Sequence, residues 1–177
     1  MLAIISTESH SIERFKTKKI LPTVEGEHDV FQRQTLLEGF DQAVINKLRV
    51  NLIGAGGLGS EIGTALIKKG VGTLNIFDPD VVTITNLPRQ FYFREDLYRP
   101  KPGCLAKNLA RLATNDSTIT AYNMSFQEAV DREIVPGCDV AIAGVDNSDT
   151  RFFCSQYYYL DTPVIFTAVS IEADSGC

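Results

Sequence analysis

The sequence predicts an α/β fold in which a doubly wound, mostly parallel sheet carries helices on both faces. Short apolar runs of β type alternate along the chain with stretches whose apolar residues recur at helical spacing. A glycine-rich loop also joins the first of these runs to a helix, as in the βα units that bind nucleotides. At 177 residues the chain is long enough to bury the core of one domain.

The N-terminal residues 1–30 are predicted to form an extension outside the core, because they are polar and show no clear periodicity. Residues 31–177 are predicted to form the nucleotide-binding domain. This domain is expected to begin with two helices, since apolar residues recur at helical spacing over 31–48 and Gly39 interrupts them.

Five strands and four further helices are predicted after residue 48. The strands are apolar runs at 49–53, 73–77, 118–124, 139–143 and 163–169. The helices lie between them: one follows the glycine loop and ends at Gly70, one carries Leu105, Leu109 and Leu112 on one face, and two span 126–133 and 150–160. This alternation predicts parallel strands with a Rossmann-like connectivity.

Charge and composition exclude several classes of function. The net charge of −5 provides no basic field for nucleic acid, and no apolar run is long enough to cross a bilayer. The short apolar N-terminus lacks the basic leader and the long apolar core of a signal peptide. The four cysteines are widely spaced and include no Cys-x-x-Cys pair for zinc, so free thiols in a reducing cytoplasm are expected.

The loop at 54–59, Gly-Ala-Gly-Gly-Leu-Gly, has the spacing of a phosphate-binding turn. Amides and the dipole at the start of the next helix can receive phosphate, and glycine lets a ligand approach the backbone. The alternative is a tight turn with close packing of helix and strand. The strand–loop–helix context favours nucleotide binding, with contacts from Gly54, Gly56, Gly57 and Gly59.

Two acidic residues follow the second predicted strand. Asp78 ends that strand about 20 residues beyond the loop, where a carboxylate can bind the ribose hydroxyls of a nucleotide. Asp80 is expected to support the same ligand, although a residue beside Pro79 can also serve only the turn.

A polar stretch with a central arginine comes next. Arg89 can fork onto phosphate oxygens and stabilise charge during phosphoryl or nucleotidyl transfer. Asn86 can add amide hydrogen bonds, and Lys101, just before the next helix, can neutralise phosphate. The alternative is that these side chains belong to a solvated surface.

Asp146 directly follows the fourth predicted strand, at the edge where the carboxyl ends of parallel strands line a ligand crevice. Mg²⁺ usually takes one or two carboxylates together with phosphate oxygens, so Asp146 is the metal candidate. The alternative is a cap for the helix that begins near Ser148, and Asn147 can serve either role.

In this order the motifs resemble those of the ThiF/MoeB/HesA family, relatives of the ubiquitin-activating enzymes. The resemblance covers about 31–170, and the full set of motifs is far more specific than the glycine loop alone. It rests on Arg33-Gln34, the glycine loop, Asp78-x-Asp80, Asn86-Leu87-x-Arg89-Gln90, Lys101, and Asp146-Asn147 followed by Arg151.

The resemblance implies an enzyme that uses ATP and Mg²⁺ to adenylate the C-terminal glycine of a ubiquitin-like or sulfur-carrier protein, giving acyl-AMP and pyrophosphate. By analogy, Asp78 holds the ribose, Arg89 and Lys101 hold phosphates, and Asp146 places Mg²⁺. The analogy gives a supporting role on the phosphate side to Asn86 and Gln90. It also implies a homodimer, because Arg33 reaches into the site of a second subunit.

The sequence departs from the family in three ways. Members usually continue into a crossover segment and a Cys-x-x-Cys zinc site, so a chain that stops at Cys177 is expected to be a truncated form or a minimal member. Pro102 follows Lys101 and the segment is one residue short, which leaves Lys107 as a rival phosphate lysine. No cysteine shows a thiolate-stabilising setting, so no catalytic nucleophile is predicted.

Two other functions stay open at this point. A non-catalytic module that dimerises and binds a ubiquitin-like protein fits a chain without the C-terminal region. An NAD-dependent oxidoreductase on the same fold explains the glycine loop and Asp78. That reading leaves Arg89, Asp146 and Arg33 without roles, and both histidines lie in the N-terminal extension.

Overall fold

The computed structural model describes residues 3–7, 10–21 and 28–167. Within them, one sheet contains the strands β1 Ala3–Thr7, β2 His10–Lys16, β3 Arg49–Ile53, β4 Thr73–Phe77, β5 Thr118–Tyr122, β6 Val140–Ala143 and β7 Val164–Phe166. The α-helices of the same ranges are α1 Gln32–Thr35, α2 Gln42–Ile45, α3 Gly57–Lys68, α4 Lys101–Ala110, α5 Phe126–Asp131 and α6 Ser148–Tyr157. Two 3₁₀ turns, Ile84–Asn86 and Arg94–Asp96, lie between β4 and α4.

Five parallel strands stand in the order β5-β4-β3-β6-β7, which confirms the predicted doubly wound α/β fold. The chain winds from β3 outward to β5 and then returns to place β6 and β7 on the other side of β3. Each strand and helix predicted after residue 48 is present, with ends that differ by a few residues. The end of the predicted last strand and Cys177 lie outside the described residues.

Apolar side chains cover both faces of the sheet, because successive residues of a strand point to opposite sides. One core cluster joins strand residues to α3 and α4 and includes Val50, Leu52, Leu74, Ile67 and Leu109. The other joins strand residues to α5 and α6 and includes Ile53, Phe77, Ala141, Phe126 and Cys154. No helix in the described ranges is long and apolar enough to cross a membrane.

The N-terminal segment forms part of the sheet, so the prediction that residues 1–30 lie outside the core is wrong for β2. β1 and β2 form an antiparallel hairpin, and β2 pairs antiparallel with β5. Phe15 packs against the first core cluster and Ile12 against the second. Because β2 gives one apolar residue to each face, its sequence shows no alternating apolar pattern.

The two short helices α1 and α2 are separated at Gly39, as the sequence predicted. The φ of Gly39 is 77°, in the left-handed region that glycine adopts readily. They lie against the C-terminal end of α3. The side-chain amides of Gln34 and Gln42 donate to the carbonyl oxygen of Lys69 at 3.4 and 3.0 Å. A Cβ on Gly70 would lie 2.7 Å from the ring of Phe31, so this contact needs glycine.

Candidate nucleotide site

The candidate site lies at the carboxyl ends of β3, β4 and β6, beside the first turn of α3. The strand order reverses here, and ligands of open parallel sheets bind in the crevice at such a point. The glycine loop follows β3, the acidic pair follows β4, and the turn with Asp146 follows β6. Because these three strands are neighbours, the topology alone brings three of the predicted motifs to one edge.

Two close backbone approaches shape the glycine loop. Gly54 has a φ of 96°, and a Cβ there would lie 2.9 Å from the carbonyl oxygen of Gly144. A Cβ on Gly59 would lie 2.0 Å from the carbonyl oxygen of Gly54, so the start of α3 packs on the loop as only glycine allows. Gly56 has no atom within 4 Å of its Cβ position, which leaves that side of the loop open.

The main chain of Ala55 in this loop is held from both sides. Its N–H donates to Oδ2 of Asp78 at 2.7 Å, and its carbonyl oxygen accepts from the hydroxyl of Tyr92 at 2.6 Å. Both side chains are buried. The loop is therefore held in one conformation by side chains from two other segments, which is the preorganisation that favours ligand binding.

Asp78 uses both of its carboxylate oxygens within the protein, because Oδ1 accepts from the N–H of Asp80 at 2.8 Å. Burial raises the pKa of this carboxyl, while the two N–H donors and the nearby Lys101 act in the opposite direction. Asp78 thus holds the loop and the following turn. Its contact with a ribose stays a prediction.

Arg89 lies against the glycine loop. A Cβ placed on Gly57 would be 3.9 Å from a guanidinium nitrogen of Arg89 and 3.7 Å from its carbonyl oxygen. The side chain is exposed, and no carboxylate pairs with it in the ranges that the structure describes. A cation therefore stands beside the N-terminal turn of α3, where helix amides favour an anion.

Asn86 and Gln90 flank Arg89 in a 3₁₀ turn and its exit. Oδ1 of Asn86 accepts from the N–H of Thr83 at 2.8 Å, and the carbonyl oxygen of Asn86 accepts from the N–H of Arg89 at 3.1 Å. Gln90 is buried, and its Oε1 has no hydrogen-bond donor within the described part of the chain. Asn86 thus builds the turn that presents Arg89, and its contact with phosphate stays a prediction.

Lys101 is held at the same edge by Asp80. Its Nζ donates to Oδ2 of Asp80 at 2.7 Å, and its N–H donates to the carbonyl oxygen of Asp80 at 2.8 Å. The side chain of Lys101 is 9% exposed, whereas that of Asp80 is 62% exposed. Lys107, the rival lysine, is exposed and lines a different cavity, which faces β2. The structure therefore brings Lys101, not Lys107, to the acidic pair.

The turn after β6 assigns different roles to its two polar residues. Oδ1 of Asn147 accepts from the N–H groups of Asp149 and Thr150 at 2.7 and 3.2 Å, so Asn147 caps α6. Asp146 is exposed and forms no hydrogen bond or ion pair with the other described residues. The carboxylate of Asp146 is thus available to a ligand, and the helix cap that was the alternative for Asp146 is Asn147 instead.

Arg151 fixes this turn from the first half of α6. Its Nε donates to the carbonyl oxygen of Val145 at 2.9 Å, and its Nη2 donates to that of Thr167 at 2.8 Å. These bonds tie the residue before Asp146 to the end of β7. Arg151 therefore acts on the position of Asp146 through the backbone.

A single available carboxylate fits Mg²⁺ that is shared with a nucleotide, because this ion takes few protein ligands beside phosphate oxygens. Within the described ranges, no three His, Cys, Asp or Glu side chains are grouped so that they could hold a metal by themselves. Asp146 would therefore hold Mg²⁺ together with phosphate oxygens.

Arg33 lies far from the glycine loop of its own chain. It is an exposed residue in the last turn of α1, next to Gln34, which contacts the C-terminal end of α3. The glycine loop stands at the other end of α3, and a helix of 12 residues is about 18 Å long. Arg33 is thus not brought to the site within one chain.

Two residues of the site have no counterpart in the sequence predictions. Tyr92 holds the carbonyl oxygen of Ala55, as described above. Oγ of Ser60 donates to the carbonyl oxygen of Gly57 at 3.1 Å and accepts from the N–H of Phe91 at 3.2 Å. A tyrosine in a polar loop and a serine in a helix carry no spacing signal, so these links between segments are visible only in three dimensions.

Comparisons with known proteins agree with the fold and with the family resemblance. A model of the ThiF family matches residues 31–175. The chain is 34% identical over 126 residues to the adenylyltransferase and sulfurtransferase MOCS3 of Caenorhabditis briggsae, covering 69% of this chain and 31% of the relative. It is 35% identical over 125 residues to the sulfur carrier protein ThiS adenylyltransferase of Escherichia coli strain K12, covering 68% of this chain and 49% of the relative.

A solved structure of Escherichia coli MccB with ATP has the same fold, with a TM-score of 0.70 and 20% identity. The match covers 81% of this chain and 45% of the MccB chain. The chain therefore spans half or less of the length of these relatives. The hairpin of β1 and β2 precedes the residues that the family model matches.

Proposed function

The chain belongs to the ThiF family, and from this premise we propose that it adenylates the C-terminal glycine of a ubiquitin-like or sulfur-carrier protein with ATP and Mg²⁺. The products are an acyl-AMP and pyrophosphate. Two relatives support the reaction type, because both are named adenylyltransferases. The name of one of them supports the substrate class, a sulfur carrier protein.

The observation that carries this proposal is the position of Arg89 beside Gly57. A dinucleotide site uses the glycine loop and a carboxylate at the end of the second strand of the βα unit, and it needs no cation there. A guanidinium next to the loop can bind two phosphate oxygens at once with its forked donors, and its charge suits the higher negative charge of a triphosphate. Lys101, paired with Asp80 beside Asp78, is a second basic side chain at this edge.

The proposed step is a nucleotidyl transfer. A carboxylate oxygen of the terminal glycine attacks the α-phosphorus of ATP, the bond from this phosphorus to the α,β-bridging oxygen breaks, and pyrophosphate leaves with that electron pair. Negative charge redistributes over the phosphate oxygens during the step. Donors already aimed at these oxygens stabilise the transition state without reorganisation.

In this proposal each group of site residues has a role that follows from its position. The open side of the loop at Gly56 and the first-turn amides of α3 receive the phosphates. Arg89 and Lys101 stabilise charge on them. Asp146 would hold Mg²⁺, which supplies further positive charge at the phosphates when it is bound. Asp78 and Asp80 bind the ribose side, and Asn86, Gln90 and Asn147 keep the surrounding turns in place.

Arg33 completes the site from a second subunit in this proposal, which makes the active form a homodimer. Its distance from its own glycine loop supports action on a neighbouring site.

A reducing cytoplasm is the proposed compartment, since Cys104, Cys138 and Cys154 form no disulfide. A net charge of −5 gives no reason to add nucleic acid or an anionic membrane surface to the partners.

A second candidate function is a non-catalytic module that dimerises and binds a ubiquitin-like protein. The ion pair between Lys101 and Asp80 favours this candidate, because it offsets a positive charge on the phosphate side of the site. The presence of Arg89, Lys101 and Asp146 at one edge favours the enzyme.

Isotope exchange distinguishes the two candidates. The full chain is mixed with Mg·ATP, labelled pyrophosphate and a small protein that ends in Gly-Gly, with the sulfur carrier ThiS as the first probe. The matched control is the same carrier without its last glycine. Adenylation predicts label in ATP only with the intact carrier. If Mg·ATP and the carrier both bind and no label enters ATP, the non-catalytic module is correct.

A further inference from the structure

The hydroxyl of Tyr92 joins the segment that follows Arg89 to the glycine loop. It donates to the carbonyl oxygen of Ala55 at 2.6 Å, and the N–H of Tyr92 donates to the carbonyl oxygen of Gln90 at 2.8 Å in a tight turn. Tyr92 is 5% exposed and Ala55 is fully buried, so bulk water does not reach this bond. Arg89 therefore lies only three residues from a fixed contact with the loop.

A second link runs through Ser60 in the first turn of α3. Its Oγ accepts from the N–H of Phe91 at 3.2 Å and donates to the carbonyl oxygen of Gly57 at 3.1 Å. The guanidinium of Arg89 lies beside the same glycine, since a Cβ placed on Gly57 would be 3.9 Å from Nη1. The segment that carries Arg89 is thus fastened both to the loop, at Ala55, and to the start of α3.

The other side of this segment is held by α4. Nδ2 of the buried Asn108 donates to the carbonyl oxygen of Phe91 at 3.4 Å. The carbonyl oxygen of Lys101 lies 3.5 Å from the hydroxyl of Tyr92, and the ring of Tyr92 belongs to the core cluster on the α3 and α4 side of the sheet. The segment after Arg89 is therefore packed between α3 and α4, and its distance from the glycine loop is fixed.

The hydroxyl of Tyr92 remains a donor at neutral pH. Burial raises the pKa of Tyr92, and the nearby carboxylate of Asp78 raises it further. Asp78 accepts from the N–H of Ala55 at 2.7 Å, so an acceptor and a donor hold the same residue of the loop from two sides. Phenylalanine would fill the space of Tyr92 and lack only the donor, which separates the hydrogen bond from the packing.

We propose that Tyr92 is a positioning residue for the nucleotide site, an inference that rests on the proposed function. Its hydroxyl sets the distance between the glycine loop and Arg89, so that one triphosphate contacts the loop amides and the guanidinium together. A loop that is ordered before binding loses no affinity to ordering when the ligand arrives. Tyr92 acts through Ala55 and Arg89 and contacts no phosphate itself.

The test compares the affinities of Mg·ATP and of adenosine by calorimetry on the full chain. Tyr92→Phe should weaken Mg·ATP about tenfold, because the loop loses a buried donor. It should change the affinity of adenosine less than about twofold, because adenosine has no phosphates to join the loop to Arg89. The matched control is Tyr158→Phe, which removes a buried hydroxyl bonded to Asn51 on the other face of the sheet and should leave both affinities unchanged.

A double-mutant cycle with Arg89→Ala separates positioning from a general loss of stability. In the Arg89→Ala background, Tyr92→Phe should weaken Mg·ATP only about threefold, because the distance to a missing guanidinium has no effect. Ser60→Ala removes the second link and should show the same dependence on Arg89. Thermal denaturation shows that each variant is folded, and Ser60→Ala supplies the test by itself if Tyr92→Phe does not fold.

The outcomes that overturn this role differ from the one that overturns the proposed function. A wild type that binds NAD as tightly as Mg·ATP contradicts the proposed function, and the role of Tyr92 falls with it. A wild type that prefers Mg·ATP, with a folded Tyr92→Phe protein that binds it equally well, contradicts the role of Tyr92 alone. Equal losses with and without Arg89, or equal losses of Mg·ATP and adenosine, also overturn it, because they indicate a site that is loosened as a whole.

Discussion

Oδ2 of Asp80 lies 2.7 Å from Nζ of Lys101, and this ion pair stands at the carboxyl end of β4 beside the buried Asp78. The lysine is buried and the aspartate is exposed, so Asp80 holds the side chain of Lys101 in place and offsets its charge. Lys107 lies two turns further along α4, at the cavity that faces β2. The two lysines are therefore separated in position, and we expect only Lys101 to act on the nucleotide.

Lys101→Gln should weaken binding of Mg·ATP about tenfold, because a cation beside phosphate contributes a charge-assisted hydrogen bond. Lys107→Gln is the matched control and should leave the dissociation constant unchanged. Titration calorimetry of both variants measures the difference. The reverse order, with Lys107→Gln the weaker binder, would show that the phosphate lysine has been assigned to the wrong residue.

Asp146→Ala should abolish most of the Mg²⁺ dependence of ATP binding and leave the melting temperature nearly unchanged, because its carboxylate is exposed and caps no helix. Asn147→Ala should leave the Mg²⁺ dependence nearly unchanged and lower the stability. It removes the cap of α6, which costs about 1 kcal/mol of unfolding free energy. Calorimetry measures the Mg²⁺ dependence of ATP binding by both variants, and thermal denaturation measures their stability. A folded Asp146→Ala protein with unchanged Mg²⁺ dependence contradicts the metal assignment.

Arg33→Ala should lose adenylation and still dimerise, because Arg33 is far from the glycine loop of its own chain. Mixed dimers of Arg33→Ala and Arg89→Ala subunits should regain part of the pyrophosphate exchange, since one of their two sites keeps both arginines. The two homodimers of single variants are the controls. Mixed dimers that are shown to form and still lack activity would rule out a site shared between subunits.

The chain should form no thioester with its partner protein. Burial raises the pKa of Cys104 to about 12 and that of Cys154 to about 11, and it also raises the pKa of the Cys138 thiol. The thiols of Cys104 and Cys154 stay protonated at pH 8, so alkylation of these two residues in the folded protein should speed up about tenfold per pH unit from pH 7 to 10. A conjugate cleaved by thiols, and lost in one Cys→Ser variant including Cys177→Ser, would identify a nucleophile and contradict this prediction.

The parallel part of the fold could be predicted because each of its elements carries a local signal. Alternating strand and helix patterns predicted β3 to β7 and α3 to α6 in order. β2 could not be predicted, because it places Ile12 on one face and Phe15 on the other and takes its stability from pairing with β5. The helical spacing over 31–48 predicted two helices, yet Leu36 and Leu37 are exposed rather than buried.

The positions of the site motifs could be predicted, and their contacts could not. Asp78 bonds to Ala55 across 23 residues, and Lys101 pairs with Asp80 across 21 residues. Such contacts depend on how neighbouring strands bring separate loops together, which no local spacing encodes. Even within a short segment the sequence does not predict which residue caps α6. Asp146 and Asn147 are both good N-cap residues, and only the backbone conformation decides between them.

The most direct test of the central claim compares the two classes of nucleotide that a glycine loop of this kind can bind. The melting temperature of the full chain is measured with Mg·ATP and with NAD at equal concentrations, for the wild type and for Arg89→Ala. Mg·ATP should stabilise the wild type more than NAD does, and this advantage should disappear in Arg89→Ala. Equal or greater stabilisation by NAD would contradict the assignment of the site to ATP.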